Sequence, residues 1–441
     1  MKAVLERWFG VTAAGGTFRG EVLGGITTFA AMGYILAVNP VILSETGMPR
    51  GPLITVTALA AALGCVFMAV WANYPIGLAP GMGTNAYFAY VICLGMGVPW
   101  EAALALTLWN GVAFLLLSVS GLREKLAHAL PDSVKLGITA GIGIFIAFVG
   151  LKNVGIVVGD DATLVSVGNL ASPGALLVLF GLVLIIALTV RQVPGAILIG
   201  IGAVTLVGFF VTRDGAPISR FPGSPVGLPE SPAPLFLAVD WAYPFREFSG
   251  EVLTVLVTLF VLDLFDSLGT LIGLAKRAGL AAPNGVMPRM GRALSADASA
   301  TITGALLGTS TTTSYVESAA GVESGARTGL AALVTGVCFL GALFAAPLIA
   351  VVPEVATTPA LIVVGLLMLQ GLRDLDFACL PQMAPALLTM VMIPLTFSIT
   401  EGIGLGLIVH VALRTVTGKG GEVPPLTWGL AAGVLVFFGQ R

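Results

Sequence analysis

Between Pro173 and Val190 no residue carries a charge, and uncharged apolar stretches of this length recur along the chain. The hydrocarbon core of a bilayer takes about 20 apolar residues as helix. Backbone at that depth must satisfy its own hydrogen bonds, so such stretches cross as helices. A soluble globule could not cover its surface with this sequence. Only 10% of the 441 residues are charged, against about 25% in soluble domains. The fold class is an all-α polytopic membrane protein. Spans are expected near 21–43, 52–72, 76–96, 99–119, 131–151, 173–190 and 194–212. After a polar, Pro- and Gly-rich connection, 214–248, come 250–274, 293–308, 313–325, 328–350, 358–372, 383–399 and 401–417. A last apolar piece, 425–439, reads either as an interfacial helix or as a sign that one short span before it does not cross.

Fourteen crossings with a cytoplasmic N-terminus place Arg123, Lys125, Arg191, Lys276, Arg277, Arg289, Arg292, Arg327, Arg373, Arg414 and Lys419 inside. They leave Arg50, Lys152, Arg213, Arg220 and Arg246 outside. That bias follows the positive-inside rule. The two halves also echo each other. Gly20-Glu21-Val22-Leu23 recurs as Gly250-Glu251-Val252-Leu253, and Thr84-Asn85-Ala86-Tyr87 as Thr312-Thr313-Ser314-Tyr315, at offsets of 230 and 228. Seven spans per half is odd, so the second copy enters from the opposite side. Inverted repeats of this kind place a transport site at the midplane between broken helices.

Two segments have the composition of broken helices. In Gly77-Leu78-Ala79-Pro80-Gly81-Met82-Gly83-Thr84-Asn85 the proline removes a donor and the glycines weaken the helix. In Thr309-Ser310-Thr311-Thr312-Thr313-Ser314-Tyr315 the β-branched and hydroxyl residues favour extended backbone and compete for its hydrogen bonds. A half-helix starting after such a break offers free N–H groups and a positive dipole end to a ligand.

Three acids lie at bilayer depth: Asp263 and Asp266 in one span, and Glu317 just after the second break. An ionisable side chain there costs about 2.5–3.5 kcal/mol on insertion scales, and chains that keep one generally use it on a substrate or proton path. Two roles fit Asp263 and Asp266: a substrate or proton site, or hydrogen bonding to hydroxyls of a neighbouring helix. Their spacing of three puts them on adjacent parts of one face. Glu317 and Asn85 each read either as a ligand group or as a helix cap. Glu323 and Arg327, spaced i, i+4, read as an ion pair. For Asp297 and Glu401 the sequence points to no clear partner, and they read as structural or interfacial.

Other chemistry finds no support. His128 and His410 are isolated, and Cys65, Cys93, Cys338 and Cys379 are scattered without metal or disulfide spacing. No zinc-protease, P-loop or nucleophile motif is present. A net charge of −2 argues against nucleic acid. These points exclude a metal site and leave little room for an intramembrane enzyme or redox subunit. No cofactor is called for other than a proton as coupling ion. No cleavable signal peptide is expected; Met1–Phe9 reads as an interfacial amphipathic start.

Four stretches in order carry a family resemblance: Thr28-Phe29-Ala30-Ala31-Met32-Gly33-Tyr34-Ile35-Leu36-Ala37-Val38-Asn39-Pro40, Gly81-Met82-Gly83-Thr84-Asn85-Ala86-Tyr87-Phe88, Leu264-Phe265-Asp266-Ser267-Leu268-Gly269-Thr270 and Thr311-Thr312-Thr313-Ser314-Tyr315-Val316-Glu317-Ser318-Ala319-Ala320-Gly321. Together, and over nearly the whole chain, they resemble the hypoxanthine/guanine/adenine permease branch of the nucleobase–cation symporter-2 superfamily. The Gln-Asn-x-Gly type signature of the xanthine and uric acid branch is missing; the Glu317 segment stands in its place. The resemblance therefore disfavours xanthine, urate and ascorbate. It implies fourteen segments as seven plus seven inverted. A core domain would comprise 16–130 and 249–351, and a gate domain 131–213 and 352–441, with 214–248 as extracellular loop. It places substrate between the third, eighth and tenth segments. Asp263 and Glu317 would bind the base, with Asn85 supporting and Asp266 assisting. It also implies an inner-membrane location, proton coupling and a homodimer.

The residues suit that chemistry. A purine presents N–H donors, which carboxylates accept, while backbone N–H groups such as those near Thr313 and Ser314 serve its oxygen and ring nitrogens. Phe29, Phe88 and Tyr87 are the candidates to stack on the ring. Asp263, Asp266 and Glu317 crowded in one cavity cannot all ionise cheaply, which suits proton coupling. One proton moving down 100 mV supplies roughly 2.3 kcal/mol, enough for about 40- to 50-fold accumulation of a neutral base. The alternative is an inorganic or organic anion transporter of the same inverted-repeat fold. That function needs a cation facing the substrate, and the proposed cavity holds acids.

Overall fold

A computed structural model of the chain describes residues 2–120, 131–213, 215–280 and 288–439. The fold is helical. Among the described residues, eight helices are long and apolar enough to cross a membrane: Phe18–Ser44, Arg50–Ala72, Trp100–Ser118, Asp132–Asn153, Pro173–Val190, Gly250–Ala275, Gly329–Ala350 and Glu354–Asp374. Ala196–Gly208 and Leu380–Thr396 are apolar but shorter. Met290–Leu307 and Ile399–Val416 complete the long elements. The last apolar piece forms the helix Pro425–Gly439, packed on Ile399–Val416.

The helices sort into two packing groups. In one, Phe18–Met32 and Arg50–Phe67 lie against Gly329–Ala342, and Met290–Leu307 packs between Arg50–Phe67 and Trp100–Ser120. In the other, Asp132–Asn153 lies against Glu354–Met368 and Leu380–Thr396, while Pro173–Val190 joins Ala196–Gly208 to Glu354–Met368. Phe18–Ser44 is interrupted at Gly33 and Tyr34.

Both expected breaks are present. Leu78–Pro80 and Thr312–Ser314 are short strands that pair antiparallel, Leu78 opposite Ser314, Ala79 opposite Thr313 and Pro80 opposite Thr312. Gly81 N–H donates to Thr311 O at 2.8 Å and Tyr315 N–H to Gly77 O at 3.0 Å, which extends the pairing at both ends. Each break thus satisfies the other's backbone, the condition for extended chain inside a membrane protein. Pro80 sits where its missing donor costs least, at the end of a strand only three residues long. From the pair, Met82–Ala86 continues into the wider π-helical turn Tyr87–Gly95, and Glu317 leads into Ser318–Glu323.

Candidate functional site

The crossed strands gather a hydroxyl-rich cluster around one buried acid. Asp297, fully buried, accepts from Ser267 Oγ at 2.5 Å and from Ser314 Oγ at 2.9 Å. Ser267 Oγ also lies 3.0 Å from Thr313 Oγ1. Thr301 Oγ1 donates to Thr312 O at 2.9 Å. Helices Gly250–Arg277 and Met290–Leu307 are thereby tied to the strand that precedes Glu317.

Glu317 begins the helix Ser318–Glu323 but does not cap it with its side chain. Instead Tyr34 Oη, buried at the break in the first long helix, donates to Glu317 Oε1 at 2.6 Å. Glu317 itself is only half-buried. Tyr315 Oη donates to Pro80 O at 2.5 Å, locking the two breaks together. Asn85 lies inside the short helix Met82–Ala86, whose N-cap is Gly81. Its Oδ1 accepts from Ser310 Oγ, and its buried Nδ2 has no hydrogen-bond partner. Such an orphan is uncommon enough to call for an explanation.

The two acids of one helix point to different places. Asp263 is fully buried and accepts from Asn110 Nδ2 at 3.4 Å, on the side of Trp100–Ser120. Asp266 is exposed. Residues 255, 259, 262, 266, 269 and 273 form one helical stripe. Its upper part is closed, with Val255, Leu259 and Leu262 exposed by 2%, 1% and 5%. Its lower part is open: Asp266, Gly269 and Gly273 are exposed, and open space lies where a β-carbon on either glycine would stand. Asp266 lies on the open part of the stripe, and Asp263 faces a neighbouring helix.

Among the aromatic candidates, Tyr87 and Phe88 are wholly buried. Phe29 is half-buried, edge-on to Phe339 at 5.0 Å between ring centroids. Thr313 and Ser314 are buried and held by Ser267 and Asp297 rather than open to a cavity. Arg327 donates to Val322 O and Ala326 O, both at 2.7 Å. His410 is buried, and His128 lies outside the described residues. No cluster able to hold a metal ion occurs among the described residues.

Sequence reasoning missed two of these residues, Tyr34 and Ser267, and named Asp297 without foreseeing its partners. Asp297 was readable, since an acid between Ala296 and Ala298 in a helix of small residues poses the same question as Asp263. Tyr34 and Ser267 carried no signal, because an ordinary Tyr or Ser gains meaning only from a partner, here 283 or 30 positions away.

Comparison with known proteins agrees with this architecture. The model of the permease family matches residues 19–405. The chain is 42% identical to the guanine/hypoxanthine permease PbuG of Bacillus subtilis, covering 98% of this chain and 99% of that one. It is 40% identical to the adenine permease AdeP of Escherichia coli, covering 96% and 93%. It is 43% identical to the putative permease MJ0326 of Methanocaldococcus jannaschii, covering 97% and 96%. Among solved structures, the transmembrane domain of the cyanobacterial bicarbonate transporter BicA aligns with TM-score 0.65 at 17% identity, covering 87% of this chain and 97% of that one. The murine anion transporter Slc26a9 in its inward-facing state aligns with TM-score 0.63 at 11% identity, covering 95% and 72%. At these identities the structural likeness is one of fold alone. By the family match and the near full-length relatives, this multi-pass membrane protein is a transporter rather than an enzyme, and it belongs to the permease family.

Proposed function

We propose that the chain imports purine nucleobases (hypoxanthine, guanine and adenine) across the inner membrane by proton symport with alternating access. The observation that carries this reading is that Asp266, exposed, and Glu317, half-buried, lie on elements that pack together beside the paired strands. Every charged group named at the strands is an acid. A neutral base offers N–H donors to carboxylates and takes backbone N–H donors at its oxygen and ring nitrogens, so donor and acceptor types match. The names of the relatives PbuG and AdeP point to the same substrate class.

In this reading Glu317 binds the base with the carboxylate oxygen that Tyr34 leaves free, and Phe29 lies against the ring. Asn85 turns its unpartnered Nδ2 to the base or to a water beside it. Asp266 carries the proton with Glu317, since two carboxylates around a neutral base do not both ionise cheaply. Asp263, held on Asn110, supports Asp266 from behind. Thr313 and Ser314 shape the strand. The two packing groups act as core and gate of a fourteen-segment inverted repeat. With the N-terminus cytoplasmic, the open part of the stripe faces inward. The protein works as a homodimer in the lipid bilayer and needs no cofactor beyond the proton.

The test is thermal shift of the purified protein with hypoxanthine, guanine, adenine, xanthine and uracil. Stabilisation by the purine bases hypoxanthine, guanine and adenine, lost in Glu317→Gln, is expected. A well-folded protein that responds to no base contradicts the reading and turns attention to anions.

A further inference from the structure

A distinct space lies at the Val255 end of the stripe. It is a chamber of about 560 Å3 between the two packing groups, and its lining includes Tyr90, Lys152, Glu251, Thr254, Phe397 and Glu401. Val255 also lines it, whereas Leu259 and Leu262, the next members of the stripe and buried like Val255, do not. From Val255 to Asp266 is eleven residues, about 16 Å along a helix. One helix therefore carries the chamber at Val255 and the exposed Asp266 farther along, with buried Leu259 and Leu262 as an apolar plug between them.

The chamber wall also carries aromatic rings. Phe397 packs edge-on to Phe145 and Phe148, with ring centroids 5.2 and 5.5 Å apart, and Tyr90 meets Phe145 at 6.2 Å. Lys152 Nζ stands 5.4 Å from the Phe397 ring centre. Phe397 holds φ at 53°, in the left-handed region, between the helices Leu380–Thr396 and Ile399–Val416. A side-chain-bearing residue rests there at a cost in free energy, so the aromatic ring is held at a junction rather than within a regular helix.

We propose that this chamber is a second binding subsite, in which a planar heteroaromatic base is held before the plug opens. Glu251 and Glu401 offer acceptors for ring N–H groups, Thr254 adds a hydroxyl, and Tyr90 and Phe397 offer ring surface to stack on. Lys152 balances part of the acidic charge. The chamber repeats the chemistry of the Asp266–Glu317 region, acids beside aromatic surface, one plug away. This inference rests on the nucleobase reading given above.

The test is equilibrium binding of radiolabelled hypoxanthine to purified full-length protein, counted per protomer. Native protein is expected to bind two molecules at saturation, and Thr254→Trp, which fills the chamber, one. In Glu401→Gln the second site weakens by about tenfold or more, and in Glu317→Gln the chamber site alone remains. Binding retained at the Glu317 site shows that the chamber variants are folded. One molecule per native protomer, lost in Glu317→Gln and untouched by Thr254→Trp, overturns the chamber subsite and leaves the nucleobase reading standing. No binding to any form overturns the reading on which the subsite rests.

Discussion

Tyr34 and Glu317 lie 283 positions apart in sequence, and the Tyr34 hydroxyl donates to Glu317 Oε1 at 2.6 Å. The bond fixes one carboxylate oxygen at the first helix break. A hydrogen bond to a charged group contributes about 1.5–3 kcal/mol. Tyr34→Phe should therefore lower the melting temperature and, by releasing Glu317, also raise the dissociation constant for hypoxanthine. Titration calorimetry on the two proteins checks this. Equal affinities would mean that Glu317 is oriented by something else.

Asp297 should matter for folding rather than for recognition. Asp297→Ala leaves the buried hydroxyls of Ser267 and Ser314 without their acceptor, and each unmet buried group costs about 1–3 kcal/mol. The variant should melt well below the native protein, while Asp297→Asn, which keeps one acceptor oxygen, should lose less. Melting curves in detergent decide between these outcomes.

The stripe on Gly250–Arg277 makes an accessibility prediction. Asp266→Cys and Gly269→Cys should react quickly with a charged thiol reagent, and bound hypoxanthine should protect them. Leu259→Cys and Leu262→Cys, at plug positions, should stay unlabelled. Rapid labelling at Leu262→Cys would mean that the plug is not closed.

The architecture was legible where local chemistry forced it, and illegible where it depended on a distant partner. Pro80 with its flanking glycines, and the β-branched run Thr309–Thr313, announced broken helices. Nothing in either segment announced that they pair, still less that Ala79 stands opposite Thr313. Asp263 and Asp266 were visible as acids at bilayer depth. Their division between Asn110 and the open part of the stripe was not, because a three-residue step turns the side chain by about 60° from the same face. Tyr87 and Phe88 looked as ready to stack as Phe29, and only burial separates them.

Close approach of helices gives a packing test. A β-carbon on Gly24 would stand 2.6 Å from Ala326 Cβ and 2.7 Å from Gly321 O. Gly24→Val should push Phe18–Met32 away from its neighbours, and overpacking of this kind costs about 1–3 kcal/mol or more. Gly202 has open space around it, so Gly202→Ala should be neutral or slightly stabilising. Yields of monodisperse protein and melting temperatures compare the two.

Glu45, just beyond the first long helix, accepts from Tyr90 Oη at 2.9 Å and Asn153 Nδ2 at 2.8 Å, which bridges the two packing groups. Burial, the largest cause, holds its carboxyl above the ordinary range; nearby Glu354 adds to this and Lys152 opposes it. A raised value in the folded state means that this group favours folding below its ordinary range, near 4.3. That contribution fades as pH rises through the raised value. Glu45→Gln, which keeps an acceptor without the charge, should melt at or above the native temperature at pH 8. It should also flatten the pH dependence in the mildly acidic range. A large loss of stability at pH 8 would contradict this.

The central claim is tested most directly by uptake of radiolabelled hypoxanthine into proteoliposomes under an imposed inward proton gradient. The account predicts accumulation that collapses with a protonophore and disappears in Glu317→Gln. Absence of gradient-driven purine uptake in folded protein, with flux of bicarbonate or sulfate instead, would contradict it.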